Sequence, residues 1–188
     1  MLSDKLKEET KKNHQVLEKA LIGHLRAIRS VSEYITLLQL FYGYFGGLEM
    51  LMDKAIDDKS LVDSTERRKT QAIANDILIL GGTVPAIATG YNLPAIHSHL
   101  QALGALYVIE GSTLGGKIIS KMIQQQLGTD MGLSFFAGYG DKTDEMWASF
   151  KNVLDTQCHT PEQEAVVTAA ANETFSKFYY WFNKAPVF

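Results

Sequence analysis

The chain has 188 residues, of which 46% are hydrophobic and 21% charged, with a formal net charge of −3. That length suits one domain with a full core, and the mildly acidic balance argues against a general nucleic-acid binder. A single cysteine, Cys158, rules out an internal disulfide or a thiolate-cluster metal site.

The N-terminal stretch is charged from Asp4 onward and lacks the pattern of a secretory leader. No apolar run approaches the ~20 residues that span a bilayer, so a cytoplasmic protein is expected. Ser3 or Asp4 is placed to cap a first helix reaching about His24, with Leu6, Thr10, Leu17, Leu21 and Leu25 as its buried stripe. A second helix is expected from a cap at Ser32 to about Asp57, softened by Gly43, Gly46 and Gly47 beside aromatic residues. The polar segment 57–68 reads as a loop leading into a third helix over about residues 66–80, stopped by Gly81 and Gly82. A two-proline connection comes next, and then a helix from about Ala95. Residues 128–140 read as a long loop. Two further helices are expected over about 142–156 and 161–183, the second opening on Pro161, which suits a first helical position. Strand signals are nearly missing, so the fold class is all-α with six or seven helices.

Residues 103–122 read as one helix, because Leu103, Leu106, Tyr107, Leu114, Ile118, Ile119 and Met122 recur at helical spacing. Gly111, Gly115 and Gly116 nevertheless sit in its middle, around Ser112 and Thr113. Each interior glycine costs about 1 kcal/mol relative to alanine, roughly 3 kcal/mol together. Two readings remain open: tight helix packing through small residues, or a bend where something approaches the backbone closely.

His14 lies on the face of Leu6, Thr10, Leu17 and Leu21 and is expected to point inward. A lone histidine there is more often a satisfied core residue than a ligand. Its neighbours change the weighting. Lys7, Lys11, His14 and Glu18 are spaced four, three and four, along one side of the helix. Glu18 could accept from the His14 Nδ1–H and leave Nε2 free for iron. Lys11 and Lys7 lie about 5 and 10 Å back along the axis, in reach of the carboxylates of a flat macrocycle held by His14. Either lysine alone reads equally well as a solvated helix edge. No Glu-x-x-His occurs, which removes a di-iron carboxylate bundle. His97 and His99 would face different ways on a helix, and His24 and His159 read as solvent-facing. Cys158, in a polar loop, lacks a basic partner that would activate it.

Residues 6–14, Leu-Lys-Glu-Glu-Thr-Lys-Lys-Asn-His, continued by Leu17 and Glu18, resemble the proximal-helix motif of the haem oxygenases in their bacterial, biliverdin-producing branch. Residues 107–116, Tyr-Val-Ile-Glu-Gly-Ser-Thr-Leu-Gly-Gly, resemble the distal-helix motif of that branch. Weaker echoes are Gly47-Leu48-Glu49, and Trp147, Phe150 and Leu154 with Thr174-Phe175. The resemblance covers nearly the whole chain in family order. It implies a single haem-oxygenase-like domain over residues 1–188, with haem sandwiched between a proximal and a glycine-rich distal helix. It further implies His14 as the axial iron ligand, Glu18 as its hydrogen-bond partner, and Lys7 and Lys11 as propionate contacts. Gly111, Gly115 and Gly116 would let the distal helix lie against the haem and bend there. Ser112 completes that catalytic segment, standing where many members carry an aspartate that organises distal water. Glu110 is expected in a salt bridge or at the surface, and Lys151 falls near a basic propionate-contacting position.

The implied reaction uses haem as both substrate and cofactor, with O2 and electrons from a ferredoxin, flavodoxin or other reductase, and yields biliverdin, CO and iron. Neither nucleic acid nor membrane is an expected partner. Two alternatives share the architecture. One is a haem-binding or haem-transfer protein without turnover, which Ser112 would suit. The other is a helical relative acting on another small molecule, such as a thiamine-degrading enzyme, which leaves His14, Lys7 and Lys11 unexplained.

Overall fold

A computed structural model describes residues 1–56, 61 and 63–184. Eight α-helices follow one another among the described residues: α1 Leu2–Ala27, α2 Val31–Ala55, α3 Gln71–Ile79, α4 His99–Gly111, α5 Gly116–Leu127, α6 Ser134–Ala137, α7 Thr143–Gln157 and α8 Pro161–Asn183. No strand occurs among the described residues.

Local chemistry explains the well-marked ends. Ser30 accepts from the Glu33 N–H while the Glu33 side chain returns to the Ser30 N–H, a reciprocal cap that starts α2 two residues before Ser32. The expected end at Asp57 falls outside the described residues. Thr160 and Gln163 make the same box at α8, with Pro161 in its first turn. Ser98 caps α4 by accepting from the Gln101 N–H, so this helix begins after the expected Ala95. Ser3 is not a cap, because its N–H and hydroxyl both donate to Asp155 of α7, at 2.9 Å each. The third helix starts at Gln71 rather than Glu66. The Glu49 carboxylate draws the Thr70 N–H and hydroxyl to itself, at 2.7 and 2.6 Å, and fixes that end. A 3-10 turn over Ser64–Glu66 precedes it. His24 is buried rather than solvent-facing: its ring meets Phe182 edge-on at 4.5 Å, and burial lowers its pKa.

Every residue from 102 to 110 of α4 is buried. The helix runs through the middle of the molecule against α8 and α2. Gly104 lets α8 close in: a Cβ there would stand 2.4 Å from the Val167 carbonyl oxygen. Rings of Phe41, Phe45, Phe135, Phe136, Phe178 and Phe182 interlock edge to face beside it. The buried hydroxyls of Tyr34 and Tyr44 donate to the Gly132 and Thr174 carbonyls, at 2.6 and 2.7 Å, so neither is left unsatisfied.

The expected single helix over 103–122 is broken. A 3-10 turn, Ser112–Gly115, separates α4 from α5. A 3-10 turn advances about 120° per residue against about 100° for an α-helix, so four residues rotate α5 out of phase with α4 by roughly 80°. Leu114 and Ile118, expected on the buried stripe, are accordingly exposed, at 45% and 67%, while Ile123 is buried.

The loop over 128–140 also differs from expectation, because it contains α6. Asp76 of α3 holds that short helix by accepting from Ser134 N–H (3.1 Å), Ser134 Oγ (2.6 Å) and Phe135 N–H (2.8 Å). The far side of α6 presses on α5: a Cβ on Gly116 would stand 2.0 Å from the Phe136 carbonyl oxygen.

Candidate functional site

Two tethers fix α1 against the broken helix. The Tyr107 hydroxyl of α4 lies beside the Thr10 side chain, whose own hydroxyl donates to the Leu6 carbonyl at 2.7 Å. Near the other end, Gln126 Nε2 of α5 donates to the Arg26 carbonyl at 3.5 Å. Thr10 precedes Arg26 as Tyr107 precedes Gln126, so the two segments run in the same direction. His14 stands four residues beyond Thr10, and Gly111 four beyond Tyr107, about 6 Å along the axis in each case. The histidine and the glycine turn each therefore come one helical turn after that contact.

His14 does not point inward as expected. It lies 80° or so from Leu6 around the helix, at the edge of the stripe, and it is exposed. Its ring packs edge-on against Phe175 of α8, with centroids 5.5 Å apart. Glu18, Lys7 and Lys11 are exposed as well. No hydrogen bond joins Glu18 to His14 among the described residues, and Lys11 reaches Glu8 only at 4.0 Å. A groove of about 460 Å³ runs along this face of α1, lined by Gln15, Glu18, Lys19, Ile22, Gly23 and Arg26. Lys151 lies half-buried on α7.

The three glycines part company. Gly116 serves packing, against Phe136. A Cβ on Gly115 would meet nothing within 4 Å, and one on Gly111 would only brush Trp147 at 3.8 Å. The fold itself gives no reason for glycine at 111 or 115. A flat ligand lying on bare backbone does give one. No group of three or more His, Cys, Asp or Glu among the described residues is arranged to hold a metal ion. A lone histidine instead suits a metal that brings its other ligands in a macrocycle. The residues present thus fit haem.

Behind the turn lies a buried charged network that the sequence pattern does not reveal. Glu110 is 1% exposed and pairs with Arg67 Nη1 at 2.8 Å. Of the two expected states, salt bridge or surface, it takes the first in the interior. Arg67 also grips Asp63 through Nε and Nη2, both at 2.8 Å, and Ser149 donates to that carboxylate. The Tyr139 hydroxyl donates to Glu110 at 3.0 Å and accepts from the Arg68 N–H at 2.9 Å. Burial raises the Glu110 pKa against the opposing pull of Arg67, Tyr139 and Arg68. Burial, then the Glu110 charge, pushes Tyr139 up to about 12. Desolvation lowers Arg68 to about 10, which leaves it charged at neutral pH. A glutamate inside the apolar run 102–109 was the available signal, since a buried charge demands a partner. Which of the polar loop's residues would supply it was not readable.

An all-helical fold that sets one histidine against a glycine turn on a neighbouring helix belongs to the class that clasps a flat, metal-bearing ligand between two helices. The sequence matches the profile of the haem oxygenase family over residues 1–184, and the chain belongs to that family. A haem oxygenase of Xanthomonas campestris pv. campestris (strain 8004) is 32% identical over 114 residues, which cover 60% of this chain and 66% of that protein. The chain thus aligns with just under two thirds of this relative's length. The fold is similar to that of the haem oxygenase from Neisseria meningitidis, solved with NO and CO bound. The TM-score is 0.84 at 22% identity, over 98% of this chain and 91% of that one. Haem oxygenase from Leptospira interrogans gives 0.78 at 17% identity over 98% and 99%. Haem oxygenase-1 from the cyanobacterium Synechocystis sp. PCC6803, solved with haem, gives 0.77 at 19% over 97% and 91%.

Proposed function

We propose that the chain performs the reaction of its family, the oxidative opening of haem to biliverdin with release of CO and iron. The observation that supports this reading is the bare backbone at Gly111 and Gly115, for which the packing gives no reason, on a segment that contacts the helix carrying exposed His14. When bound, haem supplies both the iron that activates O2 and the ring that is oxidised.

The chain's own residues would do the rest. His14 would ligate the iron through Nε2, and Glu18, one turn on, would turn to accept its Nδ1–H and fix the tautomer. Lys7 and Lys11 would pair with the propionates from the helix edge. The missing Cβ atoms at Gly111 and Gly115 would let the turn lie close over the ring and limit where O2 can sit. Ser112 and Gly116 would belong to the same distal segment, with Gly116 seating it on Phe136. Electrons would come from a ferredoxin, flavodoxin or other reductase. The setting would be cytoplasmic, and no helix among the described residues is long and apolar enough to cross a membrane.

The test is to add ferric haem to the purified chain, follow the Soret band, then supply reductant under air. A band that forms and decays into biliverdin absorbance is expected. A band that persists unchanged would sink turnover and leave a haem-binding protein, and no band would sink both. His14→Ala should abolish the histidine-ligated spectrum.

A further inference from the structure

Ser112 stands where a proton-organising group is expected, yet its hydrogen bonds are already assigned. Its single hydroxyl proton goes to the Ile109 carbonyl at 2.6 Å. Its oxygen accepts from Arg68 Nη2, also at 2.6 Å. A serine hydroxyl has one proton to donate, so the geometry leaves none for a neighbour on the haem side.

Arg68 reaches the turn from the segment before α3 and grips it at several points. Nη2 donates to the Ile109 carbonyl at 3.0 Å as well as to Ser112, and Nη1 donates to the Phe135 carbonyl at 3.1 Å. The guanidinium carbon lies over the Phe135 ring, 4.0 Å from its centroid. Its Nε is buried and has no hydrogen-bond partner among the described residues, so the side chain is committed to the turn at the expense of that nitrogen. Thr113 adds a parallel contact, donating to the Glu110 carbonyl at 2.6 Å. These are carbonyls at the end of α4, where a helix leaves acceptors unfilled. A planar fork that holds a hydroxyl and two carbonyls at once fixes backbone in a way that a point charge cannot.

Resting on the functional reading above, we infer that Ser112 and Arg68 form a positioning pair that holds the glycine turn in its broken shape. Ser112, whose one proton is held by the Ile109 carbonyl, is then a positioning residue and not a donor toward the haem side. Serine at this position is the small residue that lets an arginine clamp the turn from behind.

The test reads amide hydrogen exchange over residues 109–116 in the haem-free chain, for wild type, Ser112→Ala, Ser112→Thr, Arg68→Lys and Arg68→Leu. Losing a charge-assisted hydrogen bond should speed local exchange about tenfold or more, with amides of α2 and α8 unchanged. Arg68→Leu, which also removes the bonds to the Ile109 and Phe135 carbonyls, should exceed Ser112→Ala, and their combination should fall short of the sum. Ser112→Thr should restore protection, and Arg68→Lys should not. With haem added, Ser112→Ala should shift the pH titration of the ferric Soret band, and Ser112→Thr should bring it back. Wild-type exchange in both Ser112→Ala and Arg68→Leu would overturn the inference. So would additive effects of the two changes. Because the exchange is read without haem, a failure to bind haem would defeat the functional reading and leave this result standing.

Discussion

The two walls of the site are built in opposite ways. On α1, His14, Glu18, Lys7 and Lys11 all face outward with few partners, and what fixes them is only the helix that carries them. Across from them, the turn over 112–115 is held from behind by Arg68, and through Glu110 by Arg67 and Tyr139. One wall displays chemistry and the other sets position. Side chains that must meet a ligand stay solvated until it arrives, whereas backbone that must meet a ligand has to be held by something else. Charge serves as surface on the first wall and as an internal strut on the second.

If the distal wall is a strut, breaking it should have the largest effect. Arg67→Met leaves Glu110 buried without its cation and should cost about 3–5 kcal/mol. Arg67→Met with Glu110→Leu should recover most of that loss in a urea titration, because the fully buried charge is gone and the Asp63 carboxylate left behind is part-exposed. A double variant as unstable as the single one would refute the strut.

Next come the neighbouring glycines, which divide the same turn between packing and display. Gly116→Ala forces a Cβ onto the Phe136 carbonyl and should cost about 1–3 kcal/mol. Gly115→Ala meets nothing in the fold and should be neutral or stabilising by up to about 1 kcal/mol, while weakening haem binding in a Soret titration. Equal destabilisation at both positions would contradict the division.

On the proximal wall, Lys7→Glu with Lys11→Glu should leave the unfolding midpoint in place, since both side chains are exposed. The same change should weaken haem binding, with the difference shrinking as salt is raised. Loss of stability here would mean that α1 is more than a display surface.

The smallest effect concerns pH. Burial depresses the His24 pKa below its ordinary 6.5, so the folded chain takes up this proton less readily than the unfolded one. Its contribution to stability is therefore fully present above pH 6.5 and is lost as pH falls through the depressed folded value. His24→Gln should flatten the acid side of a melting-temperature profile over that window, and an unaltered slope would show that His24 is not responsible.

The contrast between the walls also explains what the sequence could tell. The proximal wall was legible because four, three and four residue spacings on one helix need no knowledge of the rest of the fold. α8 was legible for the same local reason, since Thr160, Pro161 and Gln163 mark its start within four positions. Even so, His14 was misplaced inward, because the exposure of a residue at the stripe's edge depends on which helix covers it. The distal wall was half legible. The glycines left packing or a bend open within one expected helix, and the re-phasing by the 3-10 turn threw Leu114 and Ile118 off the expected stripe. Arg67 and Arg68 could not be found, because nothing local distinguishes an arginine in a polar loop from one folded under a helix. Glu110 hinted at a partner without naming it.

The short helix α6 has a mechanical meaning. It is a shim, pinned to α3 by one carboxylate, with a single carbonyl oxygen as the face on which α5 rests. The separation of α5 from α1 is therefore set in part from outside, by a segment that rests on Gly116 and borders the turn. Lengthening or shortening residues 128–140 would reset the width of the slit while leaving each wall's residues as they are.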